Sequence, residues 1–331
     1  MALTARIDDA PARGIAAPAG IDQLVALGKA VGDVLRAGVL QVLHEDSYSV
    51  TELCELFQVP QPALSHHLKI LHGAGLLAKR REGNSIFYRR ASAADSALRQ
   101  ALFGALDQTR LPAEVAQRIR AIHAARRKRS EEFFAQNATD IASEQAQICE
   151  SAVYTETISE LICELLAAGL PAEHALEVGP GDGHLLRWLA GTFERVTGLD
   201  SSERMLEAAR AGTRGIANLR LSHRDFHEQA DQRRYQLIVA AMVVHHQASP
   251  SGFFQKAARI LKSGGALIVA ELCSHDQQWA SDACGDLWLG FDTADLTQWA
   301  ETAGLICSHS QYLAQKNGFR IQVQCYRLPA N

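Results

Sequence analysis

The chain has 331 residues, too many for one ordinary core and suited to two domains. With 47% hydrophobic and 21% charged residues it can bury a sizeable core, and no apolar run approaches the roughly 20 residues that cross a bilayer, so no membrane role is expected. The formal net charge of -4 hides an asymmetry: residues 1–130 hold 18 Lys and Arg against 12 Asp and Glu, while residues 131–331 hold 15 against 25, which leaves the front half suited to a polyanion.

Residues 1–20 carry Asp8, Asp9 and Arg13 with no apolar h-region, and are expected to be a flexible tail rather than a signal peptide. Ile21 to Glu45 is predicted as one helix, with Leu24, Leu27, Val31, Val34, Leu35, Val39, Leu40 and Leu43 spaced along one broad face. Two short helices follow. Ser49 is an N-cap with Glu52 three residues on, a capping box, and Leu53, Leu56 and Phe57 supply the core side. Gln58 to Gln61 then turns the chain into Pro62, at a first helical position, and a helix through Leu71. Leu76 to Arg81 and Ser85 to Arg90 are strands joined by a turn at Glu82-Gly83-Asn84, giving a basic β-wing.

Helix, turn, helix and wing over Val50 to Arg90, with the segment S-H-H-L-K-I-L-H-G-A-G-L-L, resemble the winged helix of ArsR/SmtB-type transcriptional regulators. The resemblance implies double-stranded DNA as partner. With Leu64, Leu68 and Leu71 facing the core, Gln61, Ala63, Ser65, His66 and Lys69 are left to face the major groove, and Arg80, Arg81 and Arg89 to lie against the backbone or minor groove. His67 is expected half-buried and hydrogen-bonded. Metal-sensing members of that family cluster cysteines where Ser49 and Thr51 stand here, and Cys54 alone cannot build a three- or four-ligand site, so no metal is expected.

Asp95 to Gln108 is a helix of the kind that packs across a twofold axis in such regulators, which implies a homodimer on a palindromic operator. Pro112 opens a long polar helix to about Asn137, either a solvated connector or a further DNA contact. Its end, Glu131 to Ala138, resembles the entry helix over the cofactor in many methyltransferases. Ala152 to Leu166 is amphipathic, and Tyr154 in it either borders a ligand pocket or belongs to the core.

Ala175 to Leu186 reads A-L-E-V-G-P-G-D-G-H-L-L: an apolar strand ending in Glu177-Val178, a tight turn with Gly179, Gly181 and Gly183, and a helix start. Glycines there let a nucleoside approach the backbone. Asp200 ends a second strand 23 residues after Glu177, placed to accept hydrogen bonds from ribose hydroxyls. Ser222 to Phe226 sets Asp225 beside Phe226, suited to an adenine amino group and ring face, and Leu237 to Val244 is a buried fourth strand ending in His245-His246. Together these resemble class I S-adenosylmethionine-dependent methyltransferases over roughly 190 residues. The resemblance implies a Rossmann-like α/β fold that holds S-adenosylmethionine or S-adenosylhomocysteine with Glu177, Gly179, Gly181, Gly183, Asp200, Ser201, Asp225, Phe226 and Met242.

Methyl transfer from a sulfonium rests mostly on proximity and orientation, so a binding fold is close to an enzyme. His245 and His246 are the candidate catalytic groups, as general base and pocket wall, with a structural role for one of them equally open. Cys273, His275 and Cys284 do not match a standard zinc spacing. Seven cysteines without a Cys-x-x-Cys pair fit a reducing cytoplasm. Asp292 to Ala300 is a further helix, and Lys316 to Arg327 supplies the last strands.

The expected organisation is a tail at 1–20, an α+β winged-helix DNA-binding and dimerisation domain at 21–110, a helical connector at 111–145 and a methyltransferase-like domain at 146–331. The fusion resembles ArsR-type regulators of the methionine and S-adenosylmethionine cycle that respond to S-adenosylhomocysteine. That implies a repressor whose effector sits in the Glu177 to Gly183 pocket. The competing reading is an active small-molecule methyltransferase with an attached DNA reader.

Overall fold

The computed structural model describes residues 20–83, 85–93, 96–137, 141–315 and 317–330. The tail expected at the front, the turn residue Asn84, the helix start at Asp95, the entry-helix end at Ala138 and the strand start at Lys316 lie outside the described residues.

The front region opens on α1 (Ile21–Val31) and α2 (Val34–Val42), where one continuous helix was expected. The break is chemical. The Gly32 amide closes α1 on Gly28 O, and Asp33 leaves helical geometry to accept the Arg36 amide at 3.0 Å as the cap of α2. Next come β1 (Tyr48–Ser49), α3 (Val50–Phe57), α4 (Gln61–Gly73), β2 (Leu77–Glu82), β3 (Ser85–Arg90) and α5 (Ala97–Asp107). The Ser49/Glu52 capping box is formed in both directions. Leu40, Leu53, Leu56, Leu64, Leu68 and Leu71 share one fully buried core. α6 (Ala113–Asn137) is the long polar helix, with only Val115 and Ile122 buried among the described residues of it.

α7 (Ile141–Ile148), unsignalled by any strong periodicity, and α8 (Ser151–Ala167) lead into the second region. It alternates β4 (His174–Val178), α9 (His184–Ala190), β5 (Arg195–Asp200), α10 (Glu203–Gly212), β6 (Leu219–His223), β7 (Tyr235–Ala241), α11 (Pro250–Ile260) and β8 (Leu261–Leu272). Then come α12 (Trp279–Cys284), α13 (Thr293–Thr302), β9 (Ile306–Ala314) and β10 (Arg320–Arg327). Among the described residues the sheet has seven strands in the order β6-β5-β4-β7-β8-β10-β9, parallel except for β10, which runs antiparallel between β8 and β9. Two apolar layers cover its faces, one with Ile162 and Leu186, the other with Phe253, Phe254 and Trp288. This is a winged helix followed by a Rossmann-like methyltransferase fold. Sequence patterning missed β9, whose residues are mostly exposed or half-buried on an edge.

Candidate functional site

A cavity of about 490 Å³ opens at the carboxyl ends of β4, β5 and β7, where the order of strands in a doubly wound sheet reverses. Its floor is the turn after β4. Gly179 and Gly181 both hold left-handed φ, 65° and 53°. The reasons differ. A Cβ on Gly181 would point into open space on the cavity, whereas one on Gly179 would stand 2.5 Å from Val243 Cγ2. Gly179→Ala is therefore expected to lose about 2 to 4 kcal/mol of stability, combining the left-handed backbone with overpacking. Denaturant unfolding checks this, and a loss below about 0.5 kcal/mol would show that the turn relaxes freely.

Eight of the nine residues expected to hold a ligand line this cavity: Glu177, Gly179, Gly181, Asp200, Ser201, Asp225, Phe226 and Met242. Gly183 does not. It caps α9 from behind, against Thr213 and Ala209. Glu177 is 4% exposed and its Oε2 has no hydrogen-bond partner among the described residues. Burial, with Asp182 adding to it, pushes its pKa well above the ordinary carboxylate value. Asp200 spends one oxygen on the Ser202 amide at 2.8 Å, and burial pushes it to about 6. Asp225 likewise accepts the His227 amide at 2.7 Å, while Phe226 stacks on Phe253 with centroids 4.6 Å apart. Glu177 is the buried, unpartnered acid of the three, while Asp200 and Asp225 are half-buried and each keeps an oxygen beyond its amide bond.

The strand expected to run to Val244 stops at Ala241, because Met242 takes a left-handed φ of 56° and residues 244–246 coil into a 3-10 turn. The Glu271 carboxylate replaces the lost ladder by accepting the amides of Val243 at 2.9 Å and of Val244. That turn separates the two candidate catalytic histidines. His246 lines the cavity, edge-on to Phe134, held neutral by burial and by the neighbouring His245. His245 does not line it: 2% exposed, it lies behind the wall with Nδ1 2.6 Å from Glu271 Oε2. Of the two, only His246 can touch a ligand.

The roof comes from α6. His123, Arg127, Ser130, Glu131 and Phe134 line the cavity, the last two from the segment expected to form the entry helix. Tyr154 borders it and also packs into the apolar layer beneath, so both of its open readings hold. The same helix grips the front region. Arg118 donates to Leu56 O at 2.9 Å, and Arg126 forks onto both Glu52 oxygens at 2.8 Å. Arg126 also donates to Ala248 O at 3.0 Å and lies over the rings of Tyr48 and Trp288. Beside it, buried Asp46 accepts the Ser249 hydroxyl at 2.5 Å and sits 3.3 Å from His123 Nε2. Sequence reasoning left this helix as a connector or a DNA contact. Its polar face instead forms the joint between the two regions.

On α4, Gln61, Ala63, Ser65, His66 and Lys69 are all exposed and Leu64, Leu68 and Leu71 fully buried. His67 is half-buried near Arg36 and Asp33. The wing departs from expectation. Strand alternation sends Lys79 and Arg81 outward but turns Arg80 to the other face. There Arg80 donates to Gly290 O at 2.8 Å, and Arg89 pairs with Asp295, which is 4% exposed. Phe87 meets Trp288 with centroids 5.3 Å apart. In this conformation Arg80 and Arg89 are held by the second region, and only Arg81 of the three expected wing contacts is exposed. Cys273, His275 and Cys284 form no ligating group among the described residues.

The model of the family described as a methyltransferase domain matches residues 151–320, half of the chain. The chain belongs to that family. Residues 33–79 match the bacterial regulatory protein, arsR family, so this methyltransferase-family chain carries an ArsR-type DNA-binding domain in front. It is similar to a demethylmenaquinone methyltransferase of Tropheryma whipplei, 33% identical over 121 residues covering 36% of this chain and 49% of the relative. It is also similar to the HTH-type transcriptional repressor SmtB of Mycobacterium tuberculosis, 37% identical over 71 residues covering 22% and 53%. The chain thus spans about half the length of these curated relatives. A solved structure of the N-methyltransferase NodS from Bradyrhizobium japonicum in complex with S-adenosyl-L-homocysteine aligns at 16% identity with a TM-score of 0.49, covering 61% of this chain and 99% of that one. Among the described residues no helix is long and apolar enough to cross a membrane.

Proposed function

We propose that the chain is a transcriptional repressor controlled by S-adenosylhomocysteine or S-adenosylmethionine held in the cavity. One observation carries the reading: α6 is at once the roof of the cavity and the element bonded to the helix-turn-helix, so an occupant and the DNA reader act on one rigid piece. A ligand that binds the two arrangements of that joint unequally shifts their populations, typically with a coupling of about 1 to 3 kcal/mol. The cavity chemistry suits a nucleoside bearing an amino acid, with Asp200 for the ribose, Asp225 and Phe226 for the adenine, and Glu177 for an ammonium group. Genes of the methionine and S-adenosylmethionine cycle are the fitting targets, since they set the level of such an effector. Exposed Ile21, Leu24, Val25 and Val34 support a homodimer on a palindrome, and the free thiols a reducing cytoplasm.

Titration calorimetry with S-adenosylhomocysteine and with S-adenosylmethionine, each repeated on the complex with a duplex from the gene's own upstream region, tests this. Tight binding of either with a changed DNA affinity is the expected result; unchanged DNA affinity with both sinks the sensor. The docked wing gives a second handle. Asp295→Asn is expected to release Arg89, tighten DNA binding about 3- to 5-fold and steepen the salt dependence by about 0.9 per phosphate regained. Unchanged affinity and slope would mean that the Asp295 contact does not compete with DNA.

A second reading, a working methyltransferase, is favoured by the neutral His246 on the cavity wall, whose Nε2 has no partner among the described residues. Such an imidazole can take a proton from an acceptor. Methyl consumption from S-adenosylmethionine in the presence of small nucleophiles would support it.

A further inference from the structure

At and behind the cavity wall lies a set of ligating groups, of which only His246 reaches the cavity itself. Glu271, fully buried, accepts the Val243, Val244 and His245 amides on one oxygen and faces His245 Nδ1 at 2.6 Å with the other. With that carboxylate beside it, Nδ1 carries a proton and Nε2 faces Asp286 Oδ1 3.6 Å off; against its burial, Glu271 and Asp286 together push the imidazole's pKa up to about 9, so a cation entering at Nε2 displaces a proton. His246 Nδ1 lies 3.9 Å from the same oxygen and 3.3 Å from Gly285 O. Asp286 is 1% exposed and neither of its carboxylate oxygens has a hydrogen-bond partner among the described residues. A carboxylate taken fully out of water without hydrogen bonds is costly, and an ion is a standard way to satisfy it.

We infer that His245, His246 and Asp286 bind a divalent first-row transition-metal cation, with Glu271 orienting His245 from behind. The ligand atoms these three residues offer lie within 4.8 Å of one another; bonds of roughly 2.0 to 2.2 Å in tetrahedral geometry set ligand atoms about 3.3 Å apart, so the widest pair closes by up to about 1.5 Å on loading through side-chain rotation. Two imidazoles and one carboxylate suit zinc or iron(II) rather than calcium or magnesium, which prefer all-oxygen shells. The carboxylate behind His245 is the usual outer partner of a metal-bound histidine, fixing its tautomer and ring plane. Three protein ligands leave a coordination position for water or a further group. The ion would tie the 3-10 turn at 244–246 to the segment after α12. That segment carries Trp288, whose ring meets Phe87 of the wing and Arg126 of α6. Loading would therefore clip together the pieces on which the interdomain joint rests.

The test uses the full, tag-free chain, stripped with chelator and titrated with Zn²⁺ against a competing dye, and separately with Co²⁺ followed by its visible absorption. One equivalent per chain is expected, with a cobalt spectrum of nitrogen and oxygen ligation free of thiolate charge transfer. Asp286→Asn and His245→Gln are expected to abolish the uptake, and Glu271→Gln, a positioning change, to weaken it about 10- to 100-fold. Because a core change can misfold the chain, each variant is checked by its circular dichroism, and the melting temperature is read with and without Zn²⁺. The rise on zinc addition belongs to the wild type and is absent in Asp286→Asn. No stoichiometric uptake by the wild type overturns the site and leaves Glu271, His245 and Asp286 as a metal-free polar relay. Equal uptake by Asp286→Asn, or a thiolate spectrum, overturns it in favour of adventitious binding elsewhere.

Discussion

Replacing Arg126 by alanine is expected to destabilise the protein by about 3 kcal/mol and to split its unfolding into two transitions. The side chain is 10% exposed and satisfies partners on both sides of the joint: the forked pair with Glu52 and the Ser47 carbonyl in the front region, the Ala248 carbonyl and the Trp288 face in the second. Removing one member of a buried pair leaves the other uncompensated, at a cost of about 3 to 5 kcal/mol. Glu52 keeps some exposure and its bond to the Ser49 amide at 2.8 Å, which places the estimate at the lower end. Lysine cannot replace the planar fork, so Arg126→Lys recovers only part of the loss. Calorimetric melting reads both effects. A single transition within about 2 °C of the wild type would show that Arg126 is not the tie between the regions.

Ligand recognition is expected to depend most on Glu177. Glu177→Gln keeps the shape but cannot ionise against a bound ammonium group, and the affinity for S-adenosylhomocysteine is expected to fall roughly 10- to 100-fold, the range for a charge-assisted hydrogen bond. The proton balance gives an independent signature. Burial holds Glu177 protonated well above the ordinary range in the free protein, and an ammonium partner favours the ionised form, so binding releases a proton. Affinity in the wild type therefore rises with pH until the free-state pKa is passed and is flat above it. The binding enthalpy follows the ionisation heat of the buffer. Glu177→Gln loses both dependences. If the variant binds as tightly as the wild type with the same buffer dependence, the ammonium group sits elsewhere.

Most of the fold could be read before any coordinates because its signals are local. The capping box at Ser49 and Glu52, the apolar spacing of Leu64, Leu68 and Leu71, and the glycine turn after Glu177 each fit within about a dozen residues, and each formed as its chemistry requires. The local rules failed where a cap or a distant carboxylate intervened. Asp33 cut the first helix in two by capping the second piece. Glu271, some 30 residues downstream of Met242, ended β7 early by binding the amides of Val243 and Val244.

Glu177, Asp200, Asp225, Gly179 and Gly181 were legible as groups that line the cavity, because they sit at or just past the ends of strands whose direction the sequence fixes. Which histidine faces the cavity did not, since His245 and His246 are adjacent and a single left-handed residue before them decides the direction of each. The wing arginines show the same division. Their charge and strand spacing are properties of the chain, and they fit phosphate contact. That Arg80 and Arg89 meet Asp295, more than 200 residues away, follows only from how the two regions pack. Sequence by itself determined the two folds and the acids that line the cavity, because helix periods, caps and tight turns are settled between near neighbours. Tertiary structure alone decided the roof of the cavity, the buried Glu271–His245–Asp286 set and the docked wing, because a buried charge takes whichever partner the packing brings to it, and no local pattern records that choice.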